Sequence, residues 1–323
     1  MKIAVIDDYQ NAFRTLQCFP KLVGHEVVVY TDTANDVASL VEKLKDAEVA
    51  VLTQQRSFFP RELIEKLPKL KLIGQTGRGA THVDLQACTE KGIVVSAGGS
   101  GNSSATAELT WGLILSALRN LPLEVNRLKA GQWQSTVGIG VQGKTLGIYA
   151  YGKIGSTVAA VGKAFGARVV CWGREGSTGR AKAAGFEVAQ SRAEFFSEAD
   201  IVSLHLPLNK DTRGIITRDD LDHMRPTALM VNASRSGLIE KGALADALKA
   251  GRPGFAAVDV YDKEPVGADE PLIKMANVTC TPHLGYVTRE SYERYYAVVV
   301  DDIVSFAAGK PSHVLNPEAL SRN

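Results

Sequence analysis

The sequence predicts an α/β protein built as two doubly wound parallel-sheet domains, and three observations carry that expectation. Short runs rich in Val and Ile alternate with longer stretches of helical spacing along the whole chain. The alternation starts twice, at the N-terminus and again at Lys144. A chain of 323 residues is long enough for two domains with separate cores.

In the first set the strand candidates are KIAVID, EVVVY, VAVLTQ, LKLIGQTG and GIVVSA. The stretch from Thr33 to Lys45 is apolar at Val37, Leu40, Val41 and Leu44, which is helical spacing. Strands that alternate with helices imply βαβ units and a parallel sheet. An apolar helix is expected over roughly Ser103 to Lys129, containing Trp111 and ending near the turn Gly131-Gln132-Trp133. The second set is TLGIYAY, ARVVCWG, ADIVSLHLP, ALMVNAS, FAAVDV and VTCTPH, and six strands match a complete doubly wound nucleotide-binding sheet. The segment Arg289 to Ala308 carries Tyr292, Tyr295, Tyr296, Val299 and Ile303 at helical spacing and is expected to return to the first domain. The domains are therefore placed at 1–103 and 104–285, with 286–323 as the returning helix.

Composition narrows the function. Net charge is +2 and the 37 basic residues are scattered, so no footprint for nucleic acid is expected. Cys18, Cys88, Cys171 and Cys280 lie far apart without a C-x-x-C pair, which reads as free thiols, not metal ligands, in a reducing compartment. MKIAVIDDYQ turns polar too early for a signal peptide, and Leu109 to Leu121 is too short and too interrupted by Arg119 to span a bilayer. A cytoplasmic protein without membrane partners is expected, with the Leu109–Leu121 stripe as core or dimer interface.

In an open parallel sheet, ligands bind beyond the carboxyl ends of the strands. Tyr151-Gly152-Lys153-Ile154-Gly155 follows the first strand of the second set and Gly173-Arg174 the second. The third ends at Pro207, the fourth runs into Arg235, the fifth contains Asp259 and leads to Glu264, and the sixth leads to His283. The strand–turn–helix at TLGIYAYGKIGSTV is a dinucleotide-phosphate loop in layout, with Ala150 where G-x-G-x-x-G has its first glycine. A methyl group is small enough to be tolerated there, so Ala150 is expected at negative φ with its methyl away from the cofactor. Of the other histidines, His25, His223 and His313 read as surface, His82 as a loop residue and His205 as packed or cofactor-adjacent.

YGKIG, VNASRSG, DVYDKEP and TPHLGYVT, in this order, together with GQTGRGATHVDLQACTEKGIVVSAGGSGNSSATAE, resemble the D-isomer-specific 2-hydroxyacid dehydrogenase family over essentially the whole chain. The likeness is to its phosphoglycerate dehydrogenases and glyoxylate/hydroxypyruvate reductases. It implies a Rossmann NAD(P)-binding domain inserted in a flavodoxin-like substrate domain, an active site in the cleft between them, and a homodimer. It further implies that Arg235 binds the carboxylate and carbonyl of a 2-oxo acid and that His283 is the general acid/base. Glu264 would then pair with His283, hold its tautomer and stabilise the imidazolium near working pH. Arg78 and Gly79 are implied at the substrate carboxylate. Thr106, Asp259 and Gly285 are implied near the nicotinamide, and Leu206, Thr212, Ala233 and Ser234 join the loop residues in the cofactor surface.

Two positions depart from the family pattern. Relatives that use NAD carry an Asp about 20 residues beyond the loop for the adenosine ribose, and Gly173 stands there, followed by Arg174. NAD and NADP both stay open, with the balance toward NADP because a guanidinium suits a 2′-phosphate. At the position where phosphoglycerate dehydrogenases present a phosphate-binding Arg stands Gln54, with Arg56 two residues on, the same face of an extended segment. The Phe58-Phe59 pair suggests a more apolar pocket, so phosphoglycerate is the alternative substrate, not the favoured one. Glu264 departs from the formate dehydrogenase branch, which places glutamine there. A cofactor-sensing, corepressor-like binding protein is the alternative of a different class.

Overall fold

In the computed structural model, which describes residues 1–34, 36–99 and 101–322, all eleven Val- and Ile-rich runs become strands of two parallel sheets. The chain divides into two units, Met1–Asn102 with Thr288–Asn323, and Ser103–Val287.

The first unit holds β1 (Lys2–Ile6), β2 (Glu26–Val29), α1 (Val37–Leu44), β3 (Val49–Leu52), α2 (Arg61–Glu65), β4 (Leu72–Gln75), α3 (Leu85–Glu90) and β5 (Val94–Ala97). Its strand order is β2-β1-β3-β4-β5, the flavodoxin-like order. β3, β4 and β5 are buried at every position, which is why they read as mostly apolar runs, interrupted by Gln75 and Ser96, and not as alternating ones. The helix expected from Thr33 starts at Val37, because Asp36 accepts the Ser39 N–H as its N-cap; Asn35 lies outside the described residues.

The second unit opens with α4 (Ser103–Leu118) and α5 (Leu121–Lys129), not the single helix expected. Pro122 cannot donate and would clash with the carbonyl four residues back, so the chain breaks at Asn120, left-handed at φ 51. α4 is core, burying Trp111, Leu113, Ile114 and Leu118, whereas α5 leaves Leu121, Leu123, Val125 and Leu128 exposed. There follow β6 (Thr145–Tyr149), α6 (Lys153–Ala164), β7 (Arg168–Trp172), α7 (Glu175–Ala183), β8 (Glu187–Val188), α8 (Arg192–Glu198) and β9 (Ile201–Leu204). The rest is α9 (Arg218–His223), β10 (Leu229–Asn232), α10 (Ala243–Lys249), β11 (Phe255–Val258) and β12 (Val278–Cys280). The order β12-β11-β10-β9-β6-β7-β8 adds one strand to the six expected, since two-residue β8 at the sheet edge is too short to show a period.

α11 (Arg289–Ala307) belongs to the first unit. Its Val299 lies so close to β4 that a Cβ added at Gly74 would sit 2.8 Å from Val299 Cγ1. Tyr296 is buried against Phe13, ring centroids 5.0 Å apart, with its hydroxyl 2.7 Å from Thr53 Oγ1. All four cysteines are free thiols, and burial pushes Cys88 and Cys171 up to about 12. Among the described residues no helix is long and apolar enough to cross a membrane, and no cluster of three His, Cys, Asp or Glu could hold a metal.

Candidate active site

In the all-parallel second sheet the strand order turns back between β9 and β6, and the candidate residues lie beyond the carboxyl ends of β6, β7, β9, β10, β11 and β12. The first is the loop after β6. Ala150 has φ 75, so the expectation of a negative φ is wrong. Its N–H donates to Trp172 O at 2.8 Å and its carbonyl accepts the Gly152 N–H at 3.0 Å, so both its peptide groups are held in the turn. A Cβ at Gly155 would lie 2.5 Å from Ala150 O, so the start of α6 packs directly on that turn. An L-residue pays about 1–2 kcal/mol for this conformation. Gly152 is the N-cap of α6 at an ordinary φ of −103, and a Cβ built on it meets nothing within 4 Å. The first amides of α6 beside it have no partner carbonyl within the helix, which makes them donors that a phosphate can take.

α7 braces the loop from the other side. Ser177 Oγ accepts the Tyr151 N–H at 2.6 Å, and the Arg180 guanidinium donates to Tyr151 O at 3.1 and 3.3 Å. The Tyr151 ring faces the core against Phe186, so this residue, expected at the cofactor, has both ring and peptide committed within the protein. Gly173 sits at φ 152, and a Cβ there would be 3.1 Å from Ser177 Oγ. Arg174 caps α7, is 74% exposed in its side chain and lies 3.7 Å from Asp211 Oδ2. Ser177 and Arg180, which with Thr178 stand close to Arg174 in the sequence, are both bonded to the Tyr151 peptide.

Arg235, Glu264 and His283 come from the loops after β10, β11 and β12, three adjacent strands. His283 Nδ1 is 2.5 Å from Glu264 Oε2, and Glu264 Oε1 accepts the Tyr261 N–H at 2.9 Å. Burial works against ionisation of Glu264, but the hydrogen bond and charge of His283, the Tyr261 N–H and the charge of Arg235 outweigh it and hold its carboxyl below the usual value. Arg235 is exposed and donates from Nη1 to Ser234 O at 2.7 Å. Its carbonyl accepts from Asn232 Nδ2 at 2.9 Å, which ties the turn down.

Asp259 is fully buried and accepts three hydrogen bonds: from Thr281 Oγ1 at 2.6 Å, from the Leu284 N–H at 2.7 Å and from the Gly285 N–H at 2.9 Å. Thr106 Oγ1 donates to Gly285 O at 2.9 Å. The structure thus brings Thr106, Asp259 and Gly285 together as a clamp on the His283 loop. Burial raises the Asp259 pKa, and its three hydrogen bonds pull the other way. Ser234 Oγ donates to Leu204 O at 2.7 Å beside buried Ala233, and Thr212 is tied to Pro207 O at 2.7 Å next to Leu206. His205 is packed, its ring 3.0 Å from Ser203 Oγ, and burial lowers its pKa to about 4.

In the first unit Gln54 has φ 56, so the segment after β3 turns and Arg56 does not share a face with Gln54 as it would in an extended chain. The Arg56 guanidinium folds inward, bonding Asp7 O, reaching Tyr292 OH at 3.4 Å and stacking on the Tyr9 ring at 4.5 Å. Phe59 does not line a pocket either: it is fully buried, bridged to Val83, while Phe58 is 71% exposed. Arg78 and Gly79 are exposed on the bend after β4. His82 lies in the turn before α3 and is buried, with neither ring nitrogen partnered among the described residues. His313 is not a bare surface residue, since its Nδ1 is 2.7 Å from buried Asp302 Oδ1.

A family model described as D-isomer specific 2-hydroxyacid dehydrogenase, NAD binding domain, matches residues 111–285. A D-3-phosphoglycerate dehydrogenase from Methanocaldococcus jannaschii is 38% identical over 313 residues, 96% of this chain and 58% of that one, so the chain spans little more than half of that relative. A glyoxylate reductase from Aeropyrum pernix is 34% identical over 292 residues, 87% of each chain. The crystal structure of an oxidoreductase from Ralstonia solanacearum matches with a TM-score of 0.95 at 47% identity, over 99% of this chain and 98% of that one.

Proposed function

Because the chain belongs to the D-isomer specific 2-hydroxyacid dehydrogenase family, we propose that it interconverts a D-2-hydroxy acid and its 2-oxo acid with a nicotinamide cofactor. The observation that carries this reading is the His283–Glu264 pair at 2.5 Å with the charge of Arg235 beside it. The cofactor, when bound, supplies or accepts the hydride at the substrate C2. Arg235 holds the carboxylate with its planar fork of donors and polarises the carbonyl. His283 delivers a proton to the carbonyl oxygen as the hydride reaches the carbon, and takes it back from the hydroxyl in the reverse direction. Glu264 fixes the tautomer through Nδ1 and balances the charge on the imidazolium, while the Asp259 clamp holds the loop. In the first unit we assign the backbone of Arg78 and Gly79 to the substrate carboxylate.

Two finer readings are part of the proposal. Gly173 in place of the ribose-binding carboxylate, followed by exposed Arg174, favours NADP, with Asp211 at 3.7 Å as the carboxylate a 2′-phosphate would replace on the guanidinium. Small 2-oxo acids such as glyoxylate or hydroxypyruvate are favoured over phosphorylated ones, since Gln54 stands at the phosphate position and Arg56 is turned inward. The phosphoglycerate dehydrogenases among the relatives keep 3-phosphohydroxypyruvate as the second reading. The exposed apolar residues of α5 support assembly as a homodimer. One experiment tests the whole: steady-state rates for a panel of 2-oxo acids against NADH and NADPH. Turnover of small 2-oxo acids with a preference for NADPH is expected. Tight cofactor binding without turnover would overturn the enzymatic reading. A preference for NADH or for the phosphorylated acid would overturn the corresponding finer one.

A further inference from the structure

We propose that Tyr286 is a positioning residue for the acid/base imidazole, an inference that rests on the role given to His283 above. The Tyr286 and His283 rings meet edge to face, centroids 5.3 Å apart and planes at 72°. His283 is otherwise held at two points: Nδ1 by Glu264 at 2.5 Å, and its N–H by Thr281 O at 3.1 Å in a left-handed turn of φ 52. A single hydrogen bond at Nδ1 sets a distance but leaves the ring plane free to rock, because the terminal torsion of histidine is broad. The edge-to-face contact removes that freedom, as such aromatic pairs have a preferred geometry.

Tyr286 can do this because its own backbone is anchored. Its neighbour Gly285 is held from both sides, by Asp259 Oδ2 at the N–H and by Thr106 Oγ1 at the carbonyl, each at 2.9 Å. The Val287 N–H closes the turn on Leu284 O at 2.9 Å. Glu264 and Tyr286 therefore reach the imidazole from two separate loops, Tyr286 through its ring. Proton delivery needs the donor nitrogen in line with the carbonyl oxygen, so a rocking imidazole lowers kcat without weakening cofactor binding.

The test compares wild type, Tyr286→Phe and Tyr286→Ala, each checked for folding by its unfolding midpoint. Tyr286→Phe is expected to keep kcat within about twofold, and Tyr286→Ala to lose about tenfold in kcat with the cofactor KM unchanged. Independently of turnover, the downfield Nδ1–H resonance of ¹⁵N-labelled His283 should persist in Tyr286→Phe and broaden in Tyr286→Ala. An unchanged resonance and kcat in Tyr286→Ala would overturn the proposal, and so would a Tyr286→Phe variant as impaired as Tyr286→Ala. If the wild type turned over no 2-oxo acid, the acid/base reading would fail by itself, and the resonance would still decide the positioning role.

Discussion

Replacing Gly152 with Ala separates folding from cofactor binding at one atom. The backbone there, φ −103 and ψ −161, is open to any L-residue, and the added Cβ meets nothing within 4 Å. Alanine is a poorer N-cap than glycine by about 0.5 kcal/mol. It also restricts the unfolded chain, which returns about 0.4–1 kcal/mol. The two nearly cancel, so the unfolding midpoint should move by no more than about 2 °C. The methyl, however, occupies the open side of the α6 N-terminus, where the proposed cofactor would bring its pyrophosphate close to the backbone. Losing one hydrogen bond to a charged phosphate costs about 1.5–3 kcal/mol, which is roughly ten- to a hundredfold in affinity. Titration of nicotinamide fluorescence on the purified protein reads that change directly. A dissociation constant within twofold of wild type, with an unchanged midpoint, would show that the open side of Gly152 is not the phosphate site. Gly155→Ala is the contrasting control. Its Cβ would be 2.5 Å from Ala150 O, a backbone atom, so it should destabilise by about 1–3 kcal/mol whatever the ligand.

Ala150→Gly should relieve the left-handed strain of about 1–2 kcal/mol and return part of it as unfolded-chain entropy, leaving a net gain of up to about 1 kcal/mol. A lower denaturant midpoint for that variant would contradict the strain argument. Glu264→Gln keeps an acceptor for His283 but removes the charge, and kcat should fall about ten- to a hundredfold. The same variant tests linkage: the folded pKa of Glu264 lies below its ordinary 4.5, so its contribution is complete above 4.5 and disappears as pH falls through the lower folded value. The stability gap between wild type and Glu264→Gln should therefore narrow on acidification below pH 4.5, and a gap that widened would reverse the sign. Gly173→Asp by itself should not create an NAD enzyme, because φ is 152 and the new Cβ lies 3.1 Å from Ser177 Oγ. Both cofactors should lose kcat/KM, with partial recovery when Ser177→Gly is added; a clean switch to NADH from the single change would show that the turn adapts freely.

Where local physics and tertiary structure agreed, the fold was legible in the residues. Parallel strands buried on both faces read as largely apolar runs, and each of the eleven Val- and Ile-rich runs holds a strand, the edge strands β2 and β12 only partly buried. The misses fall where a local rule met a tertiary demand. Pro122 marks the break after α4, but apolar spacing running through it reads as one helix. Phe58 and Phe59 look alike as a pair, yet neighbours in an extended segment point to opposite sides, and the bridge to Val83 sends only Phe59 into the core. At Gln54 the bond from its N–H to Thr76 Oγ1 at 2.6 Å belongs to a turn that no run of side chains announces. At Ala150 the size of a methyl does not decide the backbone. The conformation is decided elsewhere, by Trp172 O and by the approach of Gly155, and alanine carries the cost because strand and helix meet there. The Glu264–His283 pair shows the same division. That Glu264 and His283 follow strand ends is visible in the sequence, but their 2.5 Å contact depends on β11 and β12 lying side by side. It also depends on a buried Asp259 that folds the second loop back with three hydrogen bonds.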